Sequence, residues 1–203
     1  MVSSFNARGA SANFSPETVH AVVGDLFNKT DPSPAAFSVP EWHNFDIVTV
    51  GFGFHHFEDV VFAASQLKKR LRPGGVLVIN DFVDGGDWLA DEEGKLIEES
   101  RGNHAVHKHD HEHHDQHAHT DEKKHDIGET NPEFLKKMTD SIVVPHFSLN
   151  SVRNFLTEAG FVDVDVKTME ERVYIEFAGK KLWRTVFFGK GKRPLNDDEK
   201  SEL

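Results

Sequence analysis

The residues of this sequence best suited to chemistry follow two short apolar runs, residues 45–50 and 76–79. An imidazole can take up a proton near neutral pH, and a carboxylate or an amide can bind a polar ligand. Either histidine after the first run could act as a general base, or both could cap the next helix or pack beneath a ligand. The polar pair after the second run could contact a substrate or end in solvent. These candidates are His55 and His56 after the first run, and Asn80 and Asp81 after the second.

A predicted strand–helix–strand unit between Asn44 and Phe82 positions these residues. The two apolar runs predict buried strands, and Phe57–Leu71 between them has apolar residues at helical spacing. Arg72–Gly75 predicts a turn in which a glycine takes positive φ. Two apolar strands joined by an amphipathic helix favour a right-handed βαβ unit in a parallel sheet. Ligands of such sheets bind beyond the carboxyl ends of the strands, which here are Gly51–His56 and Asn80–Asp84.

Outside this unit, the pattern predicts one strand before it, and a helix with two strands after it. Val19–Phe27 is an apolar run that predicts a buried strand ending at Gly24-Asp25, although a plain turn would also explain those residues. Asn28–His43 contains three prolines and predicts a loop. Ser148–Gly160 has a capping serine, an apolar stripe and a terminal glycine, which predict a helix. The later predicted strands are residues 161–166 and 182–189, and residues 190–203 predict a frayed, charged tail.

Residues 84–140 differ from the rest because apolar residues nearly vanish there. Nine of the fourteen histidines lie between His104 and His125, so this segment cannot bury enough surface to offset its ordering entropy. We therefore expect a disordered, low-complexity insertion. Imidazoles and carboxylates at this density can bind zinc or nickel ions, either as a function or as an adventitious property. The candidate metal ligands are His109, His111, His113, His114 and His117.

Composition excludes several classes of function. The net charge of −11 repels phosphate backbones, so nucleic acid is not an expected partner. The sequence has no cysteine, which excludes disulfides and thiolate metal sites and fits a reducing cytoplasm. No apolar run approaches the roughly 20 residues that span a bilayer, and no signal peptide is evident. We therefore expect a cytoplasmic protein with no membrane partner.

Two stretches together resemble a known family. FDIVTVGFGFHHFED (residues 45–59), followed by LKKRLRPGGVLVINDF (67–82), is similar to the second half of the class I S-adenosylmethionine-dependent methyltransferases. FLTEAGFVDVDV (155–166) and the last predicted strand resemble the end of the same fold. The resemblance implies an α/β protein with a Rossmann-like methyltransferase sheet. Its implied strand order is 3-2-1-4-5-7-6, with an antiparallel last strand.

The resemblance also implies a reaction and a cofactor. The reaction would be methyl transfer from S-adenosyl-L-methionine to a small-molecule or protein acceptor. His55 or His56 would stand where substrate and cofactor meet, and Asn80 and Asp81 would face the substrate. The implied cofactor-binding residues are Asp25 and Leu26 at the adenine ring, and Gly51 and Phe52 at the methionine part.

One feature of that family is missing from these 203 residues. They contain no glycine-rich loop of the form D-x-G-x-G-x-G, so the resemblance begins only at the end of strand 2. We expect an incomplete sheet that retains strands 3 to 7, in an N-terminally truncated chain of impaired activity or one completed by a partner chain. Residues 1–83 and 141–190 would form this domain, residues 84–140 the insertion and residues 191–203 the tail. Two further hypotheses stay open: a non-catalytic partner of a methyltransferase, and a His-rich protein that binds divalent metals.

Overall fold

The computed structural model describes residues 1–104, 141–177 and 179–195, which fall into two compact units. The first unit is Met1–His43, and the second comprises the described residues from Asn44 onward. The first unit contains helix α1 (Val2–Ser11) and two short 3-10 turns. All the named strands belong to the second unit, so the candidate residues at strand ends belong there too.

A five-stranded mixed sheet is the frame of the second unit. The strands are β1 (Phe45–Gly51), β2 (Leu71–Leu89), β3 (Val162–Thr168), β4 (Val173–Phe177) and β5 (Lys180–Lys192). Their order is β1-β2-β5-β3, and β4 pairs with the first half of β5. β1 and β2 run parallel, whereas every pairing of β5 is antiparallel. This order corresponds to strands 4-5-7-6 of the sheet that the resemblance implies.

The predicted strand–helix–strand unit is confirmed. Helix α2 (Val60–Lys68) connects the parallel strands β1 and β2. Asp59 begins the helix, since its carboxylate accepts a hydrogen bond from the backbone N–H of Phe62 at 2.9 Å and so satisfies a helix-terminal donor. Arg72–Gly75 bulges out of β2 where the register with β1 shifts. Gly74 has φ 76° there, so the predicted glycine with positive φ is confirmed.

The second predicted helix is also confirmed, as α3 (Leu149–Glu158). Ser148 caps it by accepting a hydrogen bond from the backbone N–H of Ser151 at 3.0 Å, and Gly160 follows its last turn with φ 80°. Helix α3 contacts α2, β3 and β5, so both helices and the sheet share one apolar core. The residues with no exposed surface in this core include Ala64, Leu77, Ile79, Val152, Leu156 and Phe187. No helix in the described ranges is long and apolar enough to cross a bilayer.

Strand β2 continues beyond its predicted end. Residues 84–89 remain in β2, and residues 87–89 pair with β5 after a register shift. Residues 90–104 fold back along this part of β2 through the bridges Ala90–Leu96 and Asp87–Gly102. The prediction of a disordered insertion is therefore wrong for residues 84–104. Gly85-Gly86 and the charges around them predict the end of the strand, but in the structure they lie where the register between β2 and β5 shifts. Asp87, just after them, pairs with the buried Arg184 on β5. The remainder of the predicted insertion, residues 105–140, lies outside the described residues.

The β4–β5 hairpin departs from the sequence prediction at both ends. β4 was not predicted, and β5 reaches Lys192, so the tail begins later than residue 190. Lysines alternate with glycines here, and the glycines face the core: a Cβ at Gly191 would lie 2.8 Å from the Phe161 Cβ. Glycine at the inward positions and lysine at the outward ones give this end of β5 the composition of a loop, which is why the sequence predicts a tail there. The rest of the predicted tail, residues 196–203, lies outside the described residues.

The predicted strand at Val19–Phe27 is wrong. This segment contains no strand, and Val23 is 84% exposed. The side-chain amide of Asn6 in α1 pairs with both backbone groups of Ala21, accepting from its N–H at 2.6 Å and donating to its C=O at 3.0 Å. The Asn6 amide thus satisfies the backbone N–H and C=O of Ala21 alone, and not those of the rest of the segment. A strand needs a neighbouring strand to satisfy the others, and the described part of the first unit provides none.

Candidate functional site

The candidate site lies at the carboxyl ends of β1 and β2. Gly51 pairs with Asn80 at the end of the parallel ladder, and the backbone N–H of Phe52 donates to the C=O of Asn80 at 2.9 Å. The chain then leaves β1 through a short 3-10 turn, Phe54–His56. The fold thus brings together five of the predicted residues: Gly51, Phe52, His55, Asn80 and Asp81.

The central contact of this site joins His55 to Asp81. The His55 Nδ1 lies 2.9 Å from Oδ1 and 3.1 Å from Oδ2 of Asp81. Asp81 has no exposed surface, whereas 12% of the His55 side chain is exposed. The carboxylate also accepts hydrogen bonds from the backbone N–H groups of His55, at 3.1 Å, and of Phe82, at 2.9 Å. Asp81 therefore fixes the orientation of the His55 ring, while its predicted contact with a substrate stays a prediction.

His56 has a different environment. Its Nδ1 lies 2.9 Å from the backbone C=O of Ser141, so the ring must donate to that oxygen. The side chain is exposed, and its ring centroid lies 4.1 Å from that of His55. The residues that follow Ser141 are also tied to the turn, because the N–H groups of Val143 and Val144 donate to the C=O of His55. His56 thus attaches the chain before α3 to the site.

A second buried carboxylate, Asp87, holds several elements together. Arg184 Nε donates to its Oδ1 at 2.8 Å, and His146 Nε2 contacts its Oδ2 at 2.9 Å. The backbone N–H of His104 donates to the same Oδ2 at 3.0 Å. Burial by itself would raise the pKa of Asp87. The His146 hydrogen bond and the Arg184 charge outweigh it and lower that pKa to about 2. Because Asp87 is then ionised and can only accept, His146 Nε2 carries a proton.

Arg184 connects this cluster to the His55–Asp81 pair. Its guanidinium lies 3.3 Å from the centroid of the Phe82 ring, and only 6% of the residue is exposed. Its Nη2 is buried and has no hydrogen-bond partner among the described residues. Burial lowers the pKa of Arg184, and attraction by Asp87, and then by Asp81, offsets part of that effect. The two buried carboxylates therefore act on the same cation.

Phe52 contacts the Phe82 ring and is exposed at the surface. Its ring centroid lies 4.9 Å from that of Phe82, and 42% of Phe52 is exposed. Its φ of 50° lies in the left-handed region, which costs a non-glycine residue on the order of 1 kcal/mol. An exposed aromatic residue kept in a strained conformation beyond the end of a strand is typical of ligand-binding positions.

The other predicted residues are not part of this cluster. Asp25 and Leu26 belong to the first unit. There the Asp25 side chain accepts from the backbone N–H of Phe27 at 2.8 Å, which is the turn that the sequence left open as an alternative. The five candidate metal ligands between residues 109 and 117 lie outside the described residues. Within the described ranges, no group of three or more His, Cys, Asp or Glu side chains could hold a metal ion.

Sequence reasoning missed the cluster of Asp87, His146 and Arg184. Two of its contacts span 97 and 59 residues, so no local pattern connects them. A signal existed for Arg184, since it is a charged residue at an inward position of the alternating strand LWRTVFF. Asp87 carried no such signal, because it stood among exposed charges in the predicted insertion.

The chain matches known proteins along part of its length. A family model described as a methyltransferase domain matches residues 7–79. An uncharacterized methyltransferase of Schizosaccharomyces pombe is 30% identical over 87 residues, which is 43% of this chain and 29% of the relative. The chain thus spans under a third of that relative.

Two solved structures share the fold. The YcgJ protein of Bacillus subtilis has a TM-score of 0.52 at 11% identity, covering 96% of this chain and 78% of its own. A protein solved in work on the conversion of a disulfide bond into a thioacetal group during echinomycin biosynthesis has a TM-score of 0.50 at 18% identity, covering 98% of this chain and 64% of its own. The matched methyltransferase domain, the S. pombe relative and the parallel β1–α2–β2 unit that carries the motif support the resemblance to the class I S-adenosylmethionine-dependent methyltransferases.

Proposed function

We propose that this chain carries the acceptor side of a methyltransferase site in which His55, oriented by Asp81, removes a proton from the nucleophile of the acceptor. The observation that supports this role is the contact between His55 Nδ1 and the buried carboxylate of Asp81. A carboxylate can only accept, so Nδ1 carries the proton and Nε2 keeps a lone pair. A neutral imidazole held in this tautomer is suited to general-base catalysis.

The residues at the strand ends fit one side of the cofactor S-adenosyl-L-methionine. At Gly51 a Cβ would lie 3.2 Å from the Asn80 Oδ1, so a larger residue there would crowd the Asn80 amide at the end of β2. When bound, this cofactor supplies an electrophilic methyl group. The protein then has to align the acceptor, exclude water and accept the proton that a hydroxyl or ammonium acceptor loses.

The remaining side of the cofactor pocket needs donors that this sequence does not contain. We propose that a glycine-rich loop from outside these 203 residues, such as one from a partner chain, supplies them. Calorimetric titration of the chain with S-adenosyl-L-methionine should then show no binding at micromolar concentrations. Micromolar binding by the chain alone would show that the loop is dispensable and would contradict this part of the proposal.

The role of His55 is tested in a complex isolated from source cells with the tagged full chain as bait. Methyl groups from radiolabelled cofactor are followed into separate small-molecule and protein fractions, which also identifies the class of acceptor. His55→Gln should lower the initial rate roughly 100-fold or more, as loss of a general base does. His56→Gln is the matched control and should cost less, because His56 donates to a backbone C=O. Equal losses, or a larger loss in His56→Gln, would refute the assignment.

Metal binding by the histidine tract is a separate proposal. It rests on the density of imidazoles between residues 107 and 125. His104 is excluded from it, since its backbone and ring bond to Asp87 and to the C=O of Ser100. A chain lacking residues 105–125 should lose nickel binding in calorimetry, whereas a chain that retains binding would locate the metal ligands elsewhere.

A further inference from the structure

A cavity of about 400 Å³ is lined by the β4–β5 hairpin and by the turn after β2. Tyr174 and Trp183 pair across the hairpin, and their ring centroids lie 5.4 Å apart at an angle of 57°. Glu176 pairs with Lys181 in the same hairpin. Because side chains alternate along a strand, these four side chains lie on one face of the hairpin. They belong to one wall of the cavity.

The turn after β2 forms the other wall, and side chains of the hairpin hold it in place. Trp183 Nε1 donates to the C=O of Gly94 at 2.9 Å. Lys181 Nζ donates to the C=O of Glu92 at 2.7 Å. Glu92 and Glu93 of this turn are exposed, and neither carboxylate forms an ion pair with another residue that the structure describes. The cavity therefore has fixed walls and acidic groups that can attract a ligand.

The chemistry of this lining favours an organic cation. Three glutamates outweigh one lysine, so an anion would be repelled. The face of an aromatic ring attracts a cation through its quadrupole, most strongly for Trp. An ion that carries alkyl groups suits both features, because the alkyl groups can contact the rings while the charge lies near the carboxylates. A metal ion fits less well, since the described part of the chain offers no group of three or more metal-binding side chains.

The neighbouring Trp88 shows that an aromatic ring in this row attracts cations. It pairs with Trp183 across β2 and β5, and the guanidiniums of Arg101 and Arg172 lie 5.5 Å and 3.9 Å from its ring centroid. The ring of Trp183 has no such contact with a described residue. Trp183 is therefore the ring of this pair that can accept a cation from outside the chain.

We propose that this cavity binds an organic ammonium ion, either a small alkylated amine or the alkylated side chain of a lysine. The cavity shares no residue with the candidate site at the ends of β1 and β2. The proposal therefore goes beyond methyl transfer, and its failure would leave the proposed function untouched.

The experiment titrates tetramethylammonium chloride into the full chain, with sodium chloride keeping the ionic strength constant. The readout is the indole N–H NMR signal of Trp183, assigned with Trp183→Phe. That signal should shift and saturate with a dissociation constant on the order of 1–10 mM. The indole signal of Trp88, whose ring already contacts two guanidiniums, should stay unchanged and is the internal control. A Gly-Ser peptide with one trimethyllysine that binds roughly 10-fold more tightly would identify a lysine side chain as the ligand, and weaker binding a small amine.

Four variants separate the ring from the charges. Tyr174→Leu removes the ring and should weaken tetramethylammonium binding about 5-fold, whereas Tyr174→Phe keeps the ring and should stay within about 2-fold. Glu93→Gln removes an attractive charge and should weaken binding about 2-fold. Lys181→Gln keeps an N–H donor for the turn but removes a repulsive charge, so binding should tighten about 2-fold.

Three results would overturn the proposal. They are an unsaturated or absent Trp183 shift up to about 100 mM probe, equal binding in Tyr174→Leu and Tyr174→Phe, and weaker binding in Lys181→Gln. Equal binding in the two Tyr174 variants would mean that the carboxylates attract any cation without the ring. If Tyr174→Leu does not fold, the opposite shifts expected in Glu93→Gln and Lys181→Gln decide alone.

Discussion

At the scale of single residues, three of the buried charged side chains of the described ranges lie on β2 and its neighbour β5. Asp81 and Asp87 both lack exposed surface, and Arg184 is 6% exposed. Removing charges from water is costly unless each finds partners. The partners of Asp87 include Arg184 on β5 and residues of the two segments on either side of residues 105–140. It therefore ties together elements that are far apart in sequence.

Substituting Asp87 tests this role directly. Asp87→Asn should lower the free energy of unfolding by about 3–5 kcal/mol, because it leaves the Arg184 guanidinium buried without a counter-charge. Urea denaturation measures the loss. Glu93→Gln, on an exposed turn of the same region, is the matched control and should stay within about 0.5 kcal/mol. If both variants lost equally little unfolding free energy, the Arg184 charge would be stabilised by groups other than Asp87.

The lowered pKa of Asp87 also makes stability depend on pH. Its folded value of about 2 lies below the ordinary 3.8, so ionisation favours the folded state. The contribution, about 2 kcal/mol, is fully present above pH 3.8 and is lost as the pH falls towards 2. The difference in unfolding free energy between wild type and Asp87→Asn should therefore narrow over that range. A difference that is constant with pH would contradict the assignment.

At the scale of elements, local signals predicted what local chemistry stabilises. The β1–α2–β2 unit and α3 follow from apolar spacing, and α3 also from its cap at Ser148, all visible in short windows. The strand at Val19–Phe27 was mispredicted because a strand depends on a neighbour that no window contains. The sequence predicts an end to this strand by Phe82, whereas β2 reaches Leu89, because Asp87 pairs with Arg184, which lies 97 residues away. The contacts among Asp87, His146 and Arg184 also span long stretches of sequence, so the sequence does not predict them as part of the site.

The cap of α3 gives a prediction at this scale. Ser148→Ala removes the side-chain oxygen that accepts from the backbone N–H of Ser151 at 3.0 Å. The free energy of unfolding should fall by about 1 kcal/mol, measured by urea denaturation. Thr157→Ala is the control on the same helix. Its hydroxyl only bonds back to the C=O of Arg153, and alanine has the higher helix propensity, so little or no loss is expected. A larger loss in Thr157→Ala than in Ser148→Ala would contradict the capping role.

At the scale of the whole molecule, the sheet ends in an apolar strand. β1 pairs only with β2 among the described strands, and it is the first strand in the sheet order. Phe45 is 37% and Ile47 is 61% exposed. Free backbone groups beside exposed apolar side chains favour pairing with another chain. We therefore expect the β1 edge to be a surface where the second unit pairs with another chain.

Self-association through this edge is testable by sedimentation at increasing protein concentration. Ile47→Lys should reduce association, because a charge on an edge strand opposes pairing. Ile47→Thr should reduce it less, since it removes apolar surface without adding charge. Both should change the free energy of unfolding by no more than about 1 kcal/mol, as Ile47 is already 61% exposed.

The control for this experiment is Val23→Lys. Val23 is 84% exposed and lies outside any strand, so the added charge is the same but no sheet edge is altered. Association should then match that of wild type. If Val23→Lys reduced association as much as Ile47→Lys does, net charge and not strand pairing would control it. If only Ile47→Lys acts, the β1 edge is the surface through which copies of this chain associate.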